Sequence, residues 1–356
     1  MMRRGPPLHE PWLALNIVGN TKKYVLRQTT EEMVMPSPAR WIIGACTALC
    51  AAYVSAQGYP ERPIRLIVPY APGGNIDITA RAIQPGLAEL LGQSIIVDNR
   101  AGAGGTIGSD LVAKAPADGY SILVGSSGTL TVAPSLYTKN PYNPVRDFAP
   151  VSFVSNVPLV LLLHPSVPAK SVKEFIALAK TMPGKLTMAS AGTGTTNHLV
   201  GELFQSMTGV RFVHVPYKGS GPALVELMGG QVDLHFDQLS SATPYIKAGR
   251  MRALAMTTEK RAGIFPDVPT LAEAGVPGFE ASTFTGLVVP AGTPRDIISK
   301  LNAATVKMLA RQSVKDRFAS FGADAFSSTP EQLGAFIKQD FAKWTKVVKD
   351  ANIRVE

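Results

Sequence analysis

The chain has 356 residues, enough for two α/β cores, and an ordinary 46 % hydrophobic share. Its net charge of +9 comes from 35 basic and 26 acidic residues that never gather into a Lys/Arg run. Nucleic-acid binding wants such a cluster and is set aside; an anionic ligand suits the modest excess.

Residues 1–34 are mixed and aperiodic, and are expected to be an untranslated or non-structural extension, with Met33 and Met35 as later starts. Residues 35–56 read as a signal peptide: Arg40, an apolar run from Trp41 to Val54, then Val54-Ser55-Ala56 as a small-residue cleavage site. The run is too short for a confident membrane span. Cys46 and Cys50 both lie in it, so cleavage near Ala56 leaves no cysteine for a disulfide or a nucleophile. The competing reading is lipidation at Cys46, after Ile43-Gly44-Ala45. Residues 1–56 hold six basic and three acidic residues, so 9 − 3 leaves +6 on the remainder.

From Ile64 onward β-rich runs alternate with helical ones. Strands are expected at 64–69, 95–98, 122–125, 185–189, 212–216, 232–236 and 252–256. Between them, Ile78, Ile83, Leu87, Leu90 and Leu91, and later Leu199, Leu203, Phe204 and Met207, repeat at helical spacing, with Pro85 expected to kink the first helix. Such alternation predicts an α/β fold with a largely parallel sheet flanked by helices. Ser171 with Glu174, and Thr329 with Gln332, are capping boxes. The helix after Thr329 presents Leu333, Phe336, Ile337, Phe341, Trp344 and Val348 as a core stripe. The apolar stretches 151–163 and 279–289 each follow a complete strand–helix series. If both are crossovers, residues 58–157 and 281–356 make one lobe, residues 158–280 make another, and a cleft lies between them.

Two junctions stand out. Tyr70-Ala71-Pro72-Gly73-Gly74-Asn75-Ile76-Asp77 follows a strand and opens a helix, as does Gly192-Thr193-Gly194-Thr195-Thr196-Asn197-His198. Each leaves first-turn N–H groups without intrahelical partners, which attract an anion together with the helix dipole. Asn75 and Asp77 also suit a cap, and a carboxylate at Asp77 would repel an anion. Ser126-Ser127-Gly128-Thr129, Tyr217-Lys218-Gly219-Ser220-Gly221 and Asp237 also end strands, where open parallel sheets place ligands. Arg100, in the glycine-rich Asn99–Gly108 segment, either pairs with an acidic ligand or anchors its loop. That segment is no dinucleotide fingerprint, because Ile107 stands where the third glycine belongs. No Walker loop, nucleophile elbow or metal-type histidine pair occurs, so no enzyme chemistry, metal or cofactor is expected.

Several separated motifs resemble one family. They are Val68–Gly74 with Asp77; Asp98–Gly105; Asp118-Gly119-Tyr120; Val215–Gly219; Gly229–Asp233; and Pro266–Thr270 with Glu273-Ala274-Gly275. From about Tyr59 to Glu356 the chain is similar to the substrate-binding receptors of tripartite tricarboxylate transporters, the Bug family. The resemblance implies a two-lobed periplasmic binding protein of the Venus-flytrap kind that closes on a small carboxylate, partly through ordered waters. It implies delivery to membrane permease subunits by a monomer, with a carboxylate sensor signalling to a histidine kinase as the alternative and a hydrolase as a remote one. Carried over by motif, the contacts are Tyr70, Ala71, Gly73, Gly74 and Asp77 in one lobe and Gly192, Thr193, Gly194, Thr195 and His198 in the other. Ser126, Ser127 and Tyr217 join them as strand-end donors, and Asp237 is expected to face the ligand's distal end. Which carboxylate is bound stays open.

Overall fold

The protein is described by a computed structural model over residues 58–136 and 140–350. The extension, the signal segment and both cysteines lie outside the described residues. Strand β1 (Ile64–Val68) leads into α1 (Asn75–Leu91), then β2 (Ile95–Asn99), α2 (Thr106–Ala113) and β3 (Ser121–Ser126). A wide helical turn, Gly128–Val132, and α3 (Ala133–Leu136) precede the long strand β4 (Phe148–Leu163). Next come α4 (Val172–Thr181), β5 (Thr187–Ser190), α5 (Thr196–Thr208), β6 (Val213–Pro216) and α6 (Ser220–Met228). They are followed by β7 (Leu234–Gln238), α7 (Leu239–Lys247) and β8 (Arg252–Met256). The chain closes with β9 (Ser282–Pro290), α8 (Arg295–Leu309), α9 (Gln312–Ser320), β10 (Asp324–Ala325) and α10 (Pro330–Asp350).

Strand order is β2-β1-β3-β9-β4-β7-β5-β6, with β10 and β8 also pairing β4. Each half has a parallel part, β2-β1-β3 in one and β7-β5-β6 in the other. The sheet is mixed rather than parallel throughout, because β4 and β9 run antiparallel to their neighbours. These are the two apolar stretches that the sequence singled out as connections. β4 serves both lobes: Phe148 to Pro158 pairs with β9, whereas Leu159 to Leu163 pairs with β7. One strand can do this because its side chains are buried nearly throughout, as a strand covered on both faces requires.

Among the described residues four apolar clusters fill the fold, the smallest being Val132, Leu136 and Leu199. One packs α1 on the sheet through Ile76, Ala80, Ile83 and Leu87, and this burial carries α1 through Pro85 as one continuous helix. A second, around Phe175, Phe204, Phe236 and Phe279, fills the β5–β7 lobe. A third sets Leu333 and Ile337 of α10 against Phe153 and Phe284. Phe336, expected in that stripe, is 39 % exposed but keeps edge contacts with both phenylalanines. Both capping boxes form: Glu174 N–H donates to Ser171 Oγ at 3.2 Å, and Gln332 N–H to Thr329 Oγ1 at 3.2 Å. Among the described residues no helix is long and apolar enough to cross a membrane.

Candidate functional site

The lobes meet at a cavity of about 20 Å³, room for one water-sized molecule. From the β1–β3 lobe it is lined by Tyr70, Gly74, Asn75, Ile76 and Ser126, and from the other by Ala191, Thr196, Asn197, Ser220 and Gln238. Every one of these residues ends a strand or lies in the loop or first helical turn that follows one, the usual place for a ligand in open α/β sheets. None carries a charged side chain. Instead, the first turns of α1, α5 and α6 converge, so their N–H groups and dipoles supply the positive potential. The sequence reading expected the α1 and α5 starts as anion sites and named the α6 segment, Tyr217–Gly221, as a strand end that could meet a ligand; all three line the cavity region.

Around the cavity the lobes touch backbone to backbone. Ala71 N–H donates to Lys218 C=O at 2.9 Å. A Cβ on Gly221 would sit 2.1 Å from Pro72 O, and one on Gly192 would sit 3.1 Å from Gly104 Cα. Neither glycine leaves room for a side chain in this closed arrangement. Tyr70 roofs the first lobe's side, its hydroxyl donating to Gly104 C=O at 3.3 Å and lying 3.5 Å from Ser126 Oγ.

The first loop is braced by Asp77. Its carboxylate accepts from Gly73 N–H at 3.0 Å, Asn99 Nδ2 at 3.0 Å and Arg81 Nε at 3.0 Å. Burial works against the charge, but these hydrogen bonds outweigh it and hold the carboxyl below the usual range. Expected at the ligand, Asp77 is not brought to the cavity: its side chain is spent on shaping the loop.

The second loop is braced by neutral acceptors. His198 Nδ1 accepts from Gly194 N–H at 3.3 Å. Gly192 N–H donates to Ser190 Oγ at 3.1 Å, and that hydroxyl lies 2.6 Å from His214 Nε2. The two imidazoles stack with centroids 4.0 Å apart. Burial first, and then a neighbouring histidine (His214 for His198, His235 for His214), lower both to about 4, so both are neutral near pH 7. Thr195 caps α5: its Oγ1 donates to Gly192 C=O at 2.6 Å and accepts from His198 N–H at 3.5 Å.

Of the expected contacts, Tyr70, Gly74 and Ser126 reach the cavity. Ala71, Gly73, Gly192, Gly194, Thr195 and His198 shape the loops around it, and Thr193 is half-buried beside them. Ser127 Oγ accepts from Phe284 N–H at 3.1 Å, and Tyr217 N–H donates to Ser190 C=O at 3.0 Å, so both tie the walls together. Asp237 is fully buried behind the lining, accepting from Ser241 Oγ at 2.6 Å and Asn197 Nδ2 at 3.2 Å. His235 Nε2 lies 3.4 Å from it without hydrogen-bond geometry. Arg100 pairs with Asp98 at 2.9 Å, the anchoring reading of that residue.

Sequence reasoning missed Asn197, Gln238 and Ser220 as lining residues. Asn197 and Gln238 bridge each other, with Asn197 Nδ2 donating to Gln238 Oε1 at 3.2 Å, and Ser220 Oγ donates to the same oxygen at 3.4 Å. Their signal was position: each is a small amide or hydroxyl at a strand end or in a first helical turn. Among the described residues no group of three or more His, Cys, Asp or Glu could hold a metal ion.

With this geometry in place, the comparisons agree on one family. Residues 79–353 match the model of the tripartite tricarboxylate transporter family receptor. The chain is 42 % identical to protein BugT of Bordetella pertussis (strain Tohama I), over 87 % of this chain and 95 % of that protein. The solved periplasmic binding protein BugD is 37 % identical with a TM-score of 0.81, over 84 % of this chain and 100 % of that one. An R. palustris protein solved with adipate is 38 % identical with a TM-score of 0.81, over 83 % and 99 %.

Proposed function

The chain belongs to the tripartite tricarboxylate transporter receptor family, and from that premise we propose that it captures a small organic carboxylate between its lobes and hands it, chemically unchanged, to a membrane permease. The observation that carries this reading is the convergence of three helix N-termini on one uncharged cavity. As it stands the cavity holds one water-sized molecule, so the lobes part further to admit an organic acid, whose carboxylate then gains charge-assisted hydrogen bonds of roughly 1.5–3 kcal/mol each from main-chain and side-chain donors. Three or four such bonds, less the cost of ordering, reach micromolar affinity, about −8 kcal/mol. The adipate held by the R. palustris relative supports a carboxylate as the class.

In this reading residues 58–157 and 281–356 form one lobe and 158–280 the other, supported by the change of partner along β4 between Pro158 and Leu159 and by the return at β9. Closure follows binding because a single ligand touches both loops only when the lobes are together. The receptor works in the periplasm, and one chain is enough to form the cavity. A thermal-shift screen of the mature protein with adipate, malate and citrate tests the proposal. A ligand selective for the native state raises the melting temperature, and the shift grows with the logarithm of its concentration above Kd. If no organic acid moves the transition, the proposal fails.

A further inference from the structure

Asn75, the first residue of α1, is 3 % exposed and lines the cavity. Its carboxamide is engaged at one end only. Oδ1 accepts from Ser240 Oγ at 2.7 Å, while Nδ2 has no hydrogen-bond partner. Ser240 is itself 2 % exposed and sits in the first turn of α7, directly after β7, where α7 packs with α1 in one apolar cluster, so the bond ties the two helices together beside the cavity. As placed, Ser240 Oγ donates to Oδ1 and leaves Nδ2 as the open donor, and a carboxylate, which only accepts, selects the same orientation. A buried donor without a partner is a cost that folding does not recover, and it is kept where a ligand supplies the acceptor.

We propose that Asn75 Nδ2 donates to a ligand carboxylate oxygen, and that Ser240 is the positioning residue that orients it. The carboxamide is then held ready for the ligand by one hydrogen bond from α7, so the two side chains act as a unit. The inference rests on the carboxylate-receptor reading and names the side chains in that site that read the ligand.

A double-mutant cycle on the mature protein tests it, using isothermal calorimetry with whichever of adipate, malate and citrate binds the wild type most tightly. Asn75→Ala is expected to weaken binding at least tenfold. Asn75→Asp should weaken it further, because a carboxylate replaces the donor. Ser240→Ala should cost about fivefold in the wild-type background and nothing in the Asn75→Ala background, with the ligand-free melting temperature within about 2 °C throughout. Equal loss from Ser240→Ala in both backgrounds would reduce Ser240 to a structural role and overturn the coupling. Wild-type affinity in Asn75→Ala would overturn the contact itself while leaving the receptor function intact. A wild-type chain that binds none of the three acids overturns the proposed function and this inference with it.

Discussion

The loops after β1 and β5 meet at the same cavity yet are held in shape by opposite chemistry. The first is clamped by a charged group: Asp77 gathers Gly73, Asn99 and Arg81, and its carboxyl stays ionised below the usual carboxylate range. The second is clamped by neutral imidazoles and hydroxyls, with His198 Nδ1 accepting from Gly194 N–H only while unprotonated and His214 Nε2 sharing a hydrogen bond with Ser190 Oγ. An anion site cannot place a fixed negative charge at its mouth without repelling its ligand. Asp77 escapes this because its charge is turned to Arg81 and Asn99, away from the cavity. The difference makes one loop tolerant of acid and the other sensitive to it.

The largest test of that contrast is pH. Both histidines have folded values near 4 against an ordinary 6.5, so the unfolded chain binds more protons in between and stability rises with pH across that window. Lowering the pH from 6.5 to 4 should therefore cost roughly 3 kcal/mol through the well-buried His198 alone, with a smaller addition from the more exposed His214. Asp77 adds nothing to this slope, because its lowered value puts its loss of stability below the window. Urea denaturation at stepped pH checks the slope, and the His198→Gln, His214→Asn double variant should flatten it.

Next in size is Gly221→Ala, whose new Cβ would meet Pro72 O at 2.1 Å in this arrangement. Affinity measured by calorimetry should fall at least 100-fold, about 2.7 kcal/mol. A smaller loss, about 2 kcal/mol of stability, is expected for Asp77→Asn, since Asn cannot satisfy three donors at once and leaves Gly73 N–H or Arg81 short of a partner. If acid unfolds that variant along the wild-type slope, the two braces are independent. The smallest effect belongs to Thr195→Val. Losing the cap and the bond to Gly192 should cost about 1 kcal/mol in thermal stability as well as some affinity, because Thr195 supports α5 rather than standing free at the ligand.

Much of this was written in local sequence. Strand runs such as Ile64–Val68, the capping boxes at Ser171 and Thr329, and the glycine junctions at 70–77 and 192–198 act over a few residues, so their patterns survive without knowledge of the rest. The roles of Asp77 and Asp237 were less legible, because a buried acid reads alike whether it faces a ligand or a neighbouring Arg81 or Ser241. Asn197, Gln238 and Ser220 carried only a faint positional signal, being ordinary polar residues until β5, β6 and β7 lie side by side.

What the sequence determined by itself is therefore the alternating α/β order, the helix ends and the two anion-type turns, all products of short-range sterics and hydrogen bonding. Tertiary structure alone decided that β4 changes partner from β9 to β7, which of the strand-end segments share one cavity, and that Ser240 meets Asn75 from 165 positions away. Those facts depend on strand pairing and close packing between distant segments, and no local pattern encodes which strand will lie beside which.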